Sequence, residues 1–314
     1  MVDRNRRSLL VAVLLAFGFA GSGLAGFGKA FGAAPASDQV TVLIGTTKAA
    51  YGVCQDVERV KGLFEVAETQ LNVPGLFINI QEPRIGIERP DDLFQLIRGA
   101  DVPPDSATLF CYLKLHGFVD PQGRHGMQTD NRELISREDV LNAMLRKKPR
   151  LAILITDSCS IASSVEIKRK GTHATKFPRE LLLDLLVHAP DGVVDINSST
   201  GVQGNQALHE EAWMDLEGGL FTRSFVKLLS SSLPEEVDQR LARIDSNHNS
   251  RYSWDEFFRV VREDTDALFQ DFRATVLEQK VTPAGLDFRQ KPGGDIRRQQ
   301  HQYPKAFSAL PASP

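Results

Sequence analysis

Cysteine is scarce in this chain, with three among 314 residues. A chain of this length buries most of its apolar surface without covalent staples, which excludes a disulfide-framework mini-protein. Cations are not in surplus either: 37 Lys and Arg stand against 40 Asp and Glu, for a net charge of -3. That excludes nucleic acid as the main partner, because neutralising phosphates needs an excess of positive charge. Also missing are a glycine-rich phosphate loop, a zinc-type Cys/His spacing and an internal repeat. With 24 glycines and 8% aromatics, collagen-like, coiled-coil and wholly disordered classes fail as well. What remains is one large globular domain or two small ones.

The first 34 residues read as an address. Arg4, Arg6 and Arg7 precede an uncharged apolar stretch from Leu9 to Phe27, and small residues follow at 23–25 and 32–34. A basic start, an apolar middle and small-x-small sites predict a secretory signal and an exported protein. The alternative is an uncleaved anchor, since the stretch approaches the roughly 20 residues that span a bilayer. Once the signal is cut, no membrane association is expected. At the other end, residues 281–314 are rich in Pro, Gly, Gln and Arg and predict a flexible tail.

Between these ends, apolar runs alternate with helical patterns. The runs are Val40–Ile44, Phe77–Ile80, Thr108–Leu113, Leu151–Thr156 and Val193–Ile196. Helical patterns cover about 55–71, 91–98 and 179–188, and a Ser136-Arg137-Glu138-Asp139 capping signal opens another that ends near Lys147. Strands of continuous apolar character separated by helices predict an α/β fold with a mostly parallel sheet covered on both faces. In such sheets ligands sit outside the carboxyl ends of the strands. Two runs finish there with reactive side chains, His116 after the third and Cys159 after the fourth. A thiol needs a base to become thiolate, and an imidazole supplies it where the two converge.

Three segments carry a resemblance. Leu109–Gly117, ending in His116-Gly117, looks like the His-Gly strand of caspase-like cysteine peptidases, and Ile153–Cys159 like their nucleophile strand in the Asp-Ser-Cys form of metacaspases. Gly218-Gly219-Leu220-Phe221-Thr222 resembles a segment of the small-subunit half, preceded by Ser198-Ser199, Gln206-Ala207 and Glu210-Glu211. The resemblance covers residues 38–232 and implies the caspase-haemoglobinase type of parallel sheet. It implies a cysteine endopeptidase acting on protein or peptide substrates. Cys159 would be the nucleophile, His116 the base, and the Gly117 and Cys159 N–H groups the oxyanion donors. Asp157 and Asp56 would line a pocket selecting Arg or Lys, with Ser198 and Ser199 as further substrate-binding residues. The chain departs from the pattern at Lys114-Leu115, where the family has Ser-Gly, and at Ser160-Ile161-Ala162 after the cysteine. Bulk at Leu115 and Ile161 would either narrow the cleft or mark a catalytically inactive caspase-fold module that binds a partner protein. Basic residues Lys168, Arg169, Lys170 and Lys176 in the following loop are either self-cleavage sites or a solvated loop.

Residues 233–280 predict a helix-loop-helix beyond the peptidase match. Asp245–Glu256 fits the twelve-residue EF-hand loop, with oxygens at Asp245, Asn247, Asn249, the Arg251 carbonyl, Ser253 and Glu256. Ser250 stands where the sharp turn prefers glycine, and two carboxylates supply little charge. Calcium affinity of order 10⁻⁴ to 10⁻³ M is therefore expected. Of the remaining cysteines, Cys54 and Cys111 are left either to pair in an oxidising compartment or to be buried.

Overall fold

A computed structural model describes residues 38–48, 53–71, 73–119, 125–158, 178–199, 201–202, 209–210, 212–215, 218–230, 234–278 and 299–307. The first 34 residues and the basic loop at 161–177 lie outside them.

In chain order, β1 (Gln39–Thr46) leads through α1 (Val53–Leu71) to β2 (Phe77–Ile80) and the short β3 (Arg84–Ile85). Next come α2 (Pro90–Gly99), β4 (Thr108–Lys114) and an antiparallel trio: β5 (His116–Val119), β6 (His125–Gln128) and β7 (Leu134–Ser136). Then follow α3 (Arg137–Leu145), β8 (Leu151–Thr156), α4 (Arg179–Leu186) and β9 (Gly192–Asn197). Two short antiparallel pairs come next, β10 (Gly201–Val202) with β11 (His209–Glu210) and β12 (Met214–Asp215) with β13 (Gly218–Gly219). The described chain closes with α5 (Leu220–Leu229), α6 (Pro234–Ile244), α7 (Trp254–Glu278) and β14 (Lys305–Ala306).

The main sheet runs β14-β9-β8-β4-β1-β2, with β3 also pairing β1. All its pairings are parallel except that of β14. The five apolar runs became β1, β2, β4, β8 and β9, so the expected α/β class holds. Their continuous apolar character has a period-2 cause. In β4, Phe110 and Tyr112 face one core with Val42, Ile44, Ile153 and Ile155. Leu109, Cys111 and Leu113 face the other with Leu43, Ala152 and Leu154. Helices α1, α4, α5 and α7 cover the first face, and α2 and α3 the second. Ser136 caps α3 as its signal indicated, its Oγ accepting the Asp139 N–H at 3.0 Å. Cys111 is free and buried, and that burial pushes its thiol up to about 12.

Two boundaries are redrawn. The helix-loop-helix is no appendage at 233: Ile244, Trp254, Phe257, Val260 and Val261 belong to the same apolar core as the sheet. Trp254 Nε1 donates to the Leu185 carbonyl of α4 at 2.9 Å, and the Tyr252 N–H to Asp184 at 3.0 Å. The expected flexible tail is likewise interrupted. Residues 299–307 dock, with β14 closing the sheet edge against β9. Gln299 and Gln302, read as tail composition, accept from the Trp213 indole N–H (2.7 Å) and its main-chain N–H (3.0 Å). A free strand edge and a buried indole supply hydrogen-bonding groups that must be matched, and a polar segment matches them.

Candidate active site at the carboxyl edge of the sheet

Strands β4 and β8 are neighbours in the sheet, with Leu113 registered against Thr156. His116 and Cys159 each follow their registered residue by three positions in sequence, and the two strands end at the same edge of the sheet. His116 opens β5 and is partly buried. Cys159 lies outside the described residues, but its neighbour Ser158 is fixed. A Cβ on Gly117 would stand 3.0 Å from the Ser158 Cβ and 3.2 Å from its carbonyl oxygen. Glycine is therefore what lets the His116 segment close on the residue before the cysteine. Leu115, the first bulky departure, is 3% exposed and belongs to the apolar core of the α2/α3 face. Its bulk goes into the core, not into the cleft.

A buried amide locks this edge. Asn197, the last residue of β9, accepts at Oδ1 from Thr156 Oγ1 and Ser158 Oγ, both at 2.6 Å. Its Nδ2 lies 2.9 Å from the Ser199 carbonyl oxygen and 3.1 Å from His125 Nε2. Burial, then the nearby Arg137 and Lys305 charges, push the His125 imidazole down to about 3. It is therefore neutral at physiological pH. Beside it, buried Arg137 bonds Thr156 Oγ1 and pairs with Asp195, while its guanidinium lies 4.7 Å from the Phe307 ring centroid. Ser198 and Ser199, expected to meet substrate, are 0% and 3% exposed. The Ser198 N–H donates to the Thr156 carbonyl and its own carbonyl accepts from Gln302, so both serines brace strand ends.

The acidic pair converges as expected, but it is not open. Asp56, in the first turn of α1, and Asp157, just after β8, are 0% and 1% exposed. Between them sits the Lys114 ammonium, 3.1 Å from Asp56 Oδ2 and 2.7 Å from Asp157 Oδ2. The same two oxygens also take main-chain and hydroxyl donors. The Gly219 N–H donates to Asp56 Oδ2 at 2.8 Å and Thr222 Oγ1 to Asp157 Oδ2 at 2.5 Å. Arg59 pairs with Asp56 at 3.3 Å from the rim. Burial pushes the Asp56 carboxyl above its ordinary value against the pull of Lys114. The twin glycines have a steric cause here. A Cβ on Gly218 would run into Asp56, and one on Gly219 into Asp157, with Lys114 Nζ only 2.5 Å away.

The helix-loop-helix has the turn of its motif but fills its own acidic ends. His248 and Ser250 take φ of 58° and 60°, the latter where the motif prefers glycine. Asp245 accepts the N–H groups of Asn249 and Ser250, each at 3.0 Å, Asn247 Oδ1 accepts the Asn249 N–H at 3.0 Å, and Asn249 Oδ1 accepts the Arg251 N–H at 2.8 Å. Glu256 accepts from Ser246 through one oxygen and from Ser253 through the other. Among the described residues, no group of three or more His, Cys, Asp or Glu could hold a metal. The oxygen set of the motif is present, and several of its oxygens already accept hydrogen bonds from the chain.

Sequence reasoning missed Asn197, Arg137 and His125. It noted Lys114 only as a departure, although a lysine in the last position of an apolar strand already signals a buried charge that needs partners.

No protein-family model and no curated protein sequence matches the chain. Similar solved structures are caspases. Pro-Sf-caspase-1 is 10% identical with a TM-score of 0.45, over 86% of this chain and 91% of that one. Caspase-1 from Spodoptera frugiperda is 11% identical with a TM-score of 0.43, over 87% and 89%. The Drosophila initiator caspase Dronc is 10% identical with a TM-score of 0.39, over 74% of each chain. Every score falls below 0.5, a likeness of backbone outline that assigns no residue a role.

Proposed function

We propose that this chain is an exported, caspase-like cysteine endopeptidase that uses His116 and Cys159 on protein or peptide substrates. The observation that carries the reading is the approach of Gly117 to Ser158 at the shared edge of β4 and β8. Cys159 Sγ, as thiolate, attacks the scissile carbonyl carbon. His116 takes the thiol proton and returns it to the leaving amine. The N–H groups of Gly117 and Cys159 receive the oxyanion, the role in which preorganised donors contribute most. Burial of Leu115 in the core favours this reading over a catalytically inactive binding module, because the cleft keeps its width on that side. Preference for Arg or Lys, which Asp157 and Asp56 suggested, requires Lys114 to leave their carboxylates. Calcium, at millimolar concentration, would be held by Asp245, Asn247, Asn249, the Arg251 carbonyl, Ser253 and Glu256, stiffening α6 and α7 without touching the reacting atoms.

The test is cleavage of a peptide library by the full chain beside Cys159→Ala and His116→Ala. Turnover lost in both variants supports the dyad. A folded wild type that cleaves nothing and is not alkylated faster than its His116→Ala variant transfers the assignment to a binding module.

A further inference from the structure

We infer that Lys114 is a built-in plug: its ammonium holds the place between Asp56 and Asp157 that a basic side chain would take, and so excludes Arg and Lys from that pocket. Three independent features converge on it. The first is position. From β1 the chain crosses to β2 on one side of the sheet and then to β4 on the other, so the strand order reverses between β1 and β4. Doubly wound sheets take ligands in the crevice outside the carboxyl ends at such a reversal. Asp56 follows β1, Lys114 ends β4 and Asp157 follows β8, so the triad stands buried at that end of the sheet, beside the reversal.

The second is the shape of the walls. The backbone at 218–219 lies so close to the carboxylates and to Lys114 Nζ that no Cβ fits on it. Gly219 N–H and Thr222 Oγ1 hold the two carboxylates in place, and Tyr112 OH and Thr222 Oγ1 bond to each other at 2.7 Å. The cradle is assembled from α1, β4, β8, β13 and α5, and the cation that bridges both carboxylates is Lys114, with Arg59 on Asp56 from the rim.

The third is energetic. A buried ion cluster adds little net stability over an apolar core of the same volume, so stability alone gives no reason to place a lysine there. Removing the lysine instead leaves two desolvated carboxylates facing one another with, among the described residues, Arg59 at the rim of Asp56, a strong and specific demand for a new cation.

The consequence for substrate choice rests on the peptidase reading above, whereas the plug itself is testable without turnover. Lys114→Ala removes three methylenes and the ammonium, a fragment equivalent to n-propylammonium. Thermal unfolding of full-length wild type, Lys114→Ala and Lys114→Ala/Asp157→Asn is followed with n-propylammonium and with neutral n-propanol. The expected result is a saturable stabilisation of Lys114→Ala by the amine alone, with Tm rising by roughly 3 °C for each tenfold increase above Kd. Wild type and the double variant should not respond. If Lys114→Ala folds only when the amine is present during refolding, the inference stands. Equal response to propanol, equal response of wild type, or refolding no better with amine than with propanol overturns it. Adding an Arg peptide library to the same proteins separates the two readings. Arg cleavage gained by Lys114→Ala and absent in wild type supports both. Amine stabilisation with no turnover anywhere sinks the peptidase and leaves the plug. Arg cleavage by wild type at the rate of the variant sinks the plug and leaves the peptidase.

Discussion

Two acidic clusters in this molecule hold their carboxylates by different means. At the sheet edge, Asp56 and Asp157 receive an ammonium from Lys114. In the helix-loop-helix, Asp245 and Glu256 accept neutral donors, among them the N–H groups of Ser246, Asn249, Ser250 and Ser253 and the Ser246 and Ser253 hydroxyls. The first is buried on all sides and the second reaches the surface, with Asn247, Asn249 and Arg251 exposed. Two buried carboxylates side by side demand an opposite charge, whereas buried Glu256 and half-buried Asp245, at the two ends of an exposed loop, are held by dipoles. The presence of acidic residues therefore says little about which ligand is free to bind. The environment decides whether the chain itself has taken the place.

The comparison breaks most sharply at Asp157. Replacing it by alanine leaves the Lys114 charge buried with one carboxylate fewer, and removing one partner of a buried pair costs about 3–5 kcal/mol. Asp245→Ala should cost about 1 kcal/mol, the scale of a lost capping acceptor at a solvated turn. Urea unfolding of the two variants side by side checks the contrast, and equal losses would erase it. Gly219→Ala forces a Cβ against the same triad and should cost about 1–3 kcal/mol by overpacking. Alanine at exposed Asn249 should be nearly silent in the same assay.

Acid sharpens the picture further, because the sheet edge holds a neutral buried histidine. The folded His125 pKa of about 3 lies below the ordinary value of 6.5, so the unfolded chain binds the proton first. Its contribution is complete above about pH 6.5 and is lost as pH falls toward 3. Stability should fall by about 1.4 kcal/mol per pH unit between pH 6 and 4 from this group. His125→Asn should flatten that limb when unfolding midpoints are compared at pH 7 and 5. A modest effect belongs to calcium. At ten times a millimolar Kd it should stabilise the wild type by about 1.4 kcal/mol. Glu256→Gln should abolish that rise while leaving the response of Lys114→Ala to amines untouched.

Much of the architecture was legible beforehand. Runs such as Leu109-Phe110-Cys111-Tyr112-Leu113 are apolar on both faces, and only a doubly covered parallel sheet buries both. Ser136 announced α3 because a hydroxyl there can accept the Asp139 N–H. His116 was legible as a residue just past an apolar strand, whereas the steric reason for Gly117, the closeness of Ser158, was not. The integration of α6 and α7 was not legible, since amphipathic helices read the same whether they pack on each other or on a sheet. Nor was the docking of 299–307, whose Gln299 and Gln302 look like tail residues until Trp213 presents them with donors. Local sequence thus determined which segments form strands and helices, because alternation and capping act over a few residues. Only the tertiary structure decided what fills the sites. Lys114, Asp56 and Asp157 come from three distant segments, and their mutual neutralisation exists only once burial makes an unpaired charge too costly to leave.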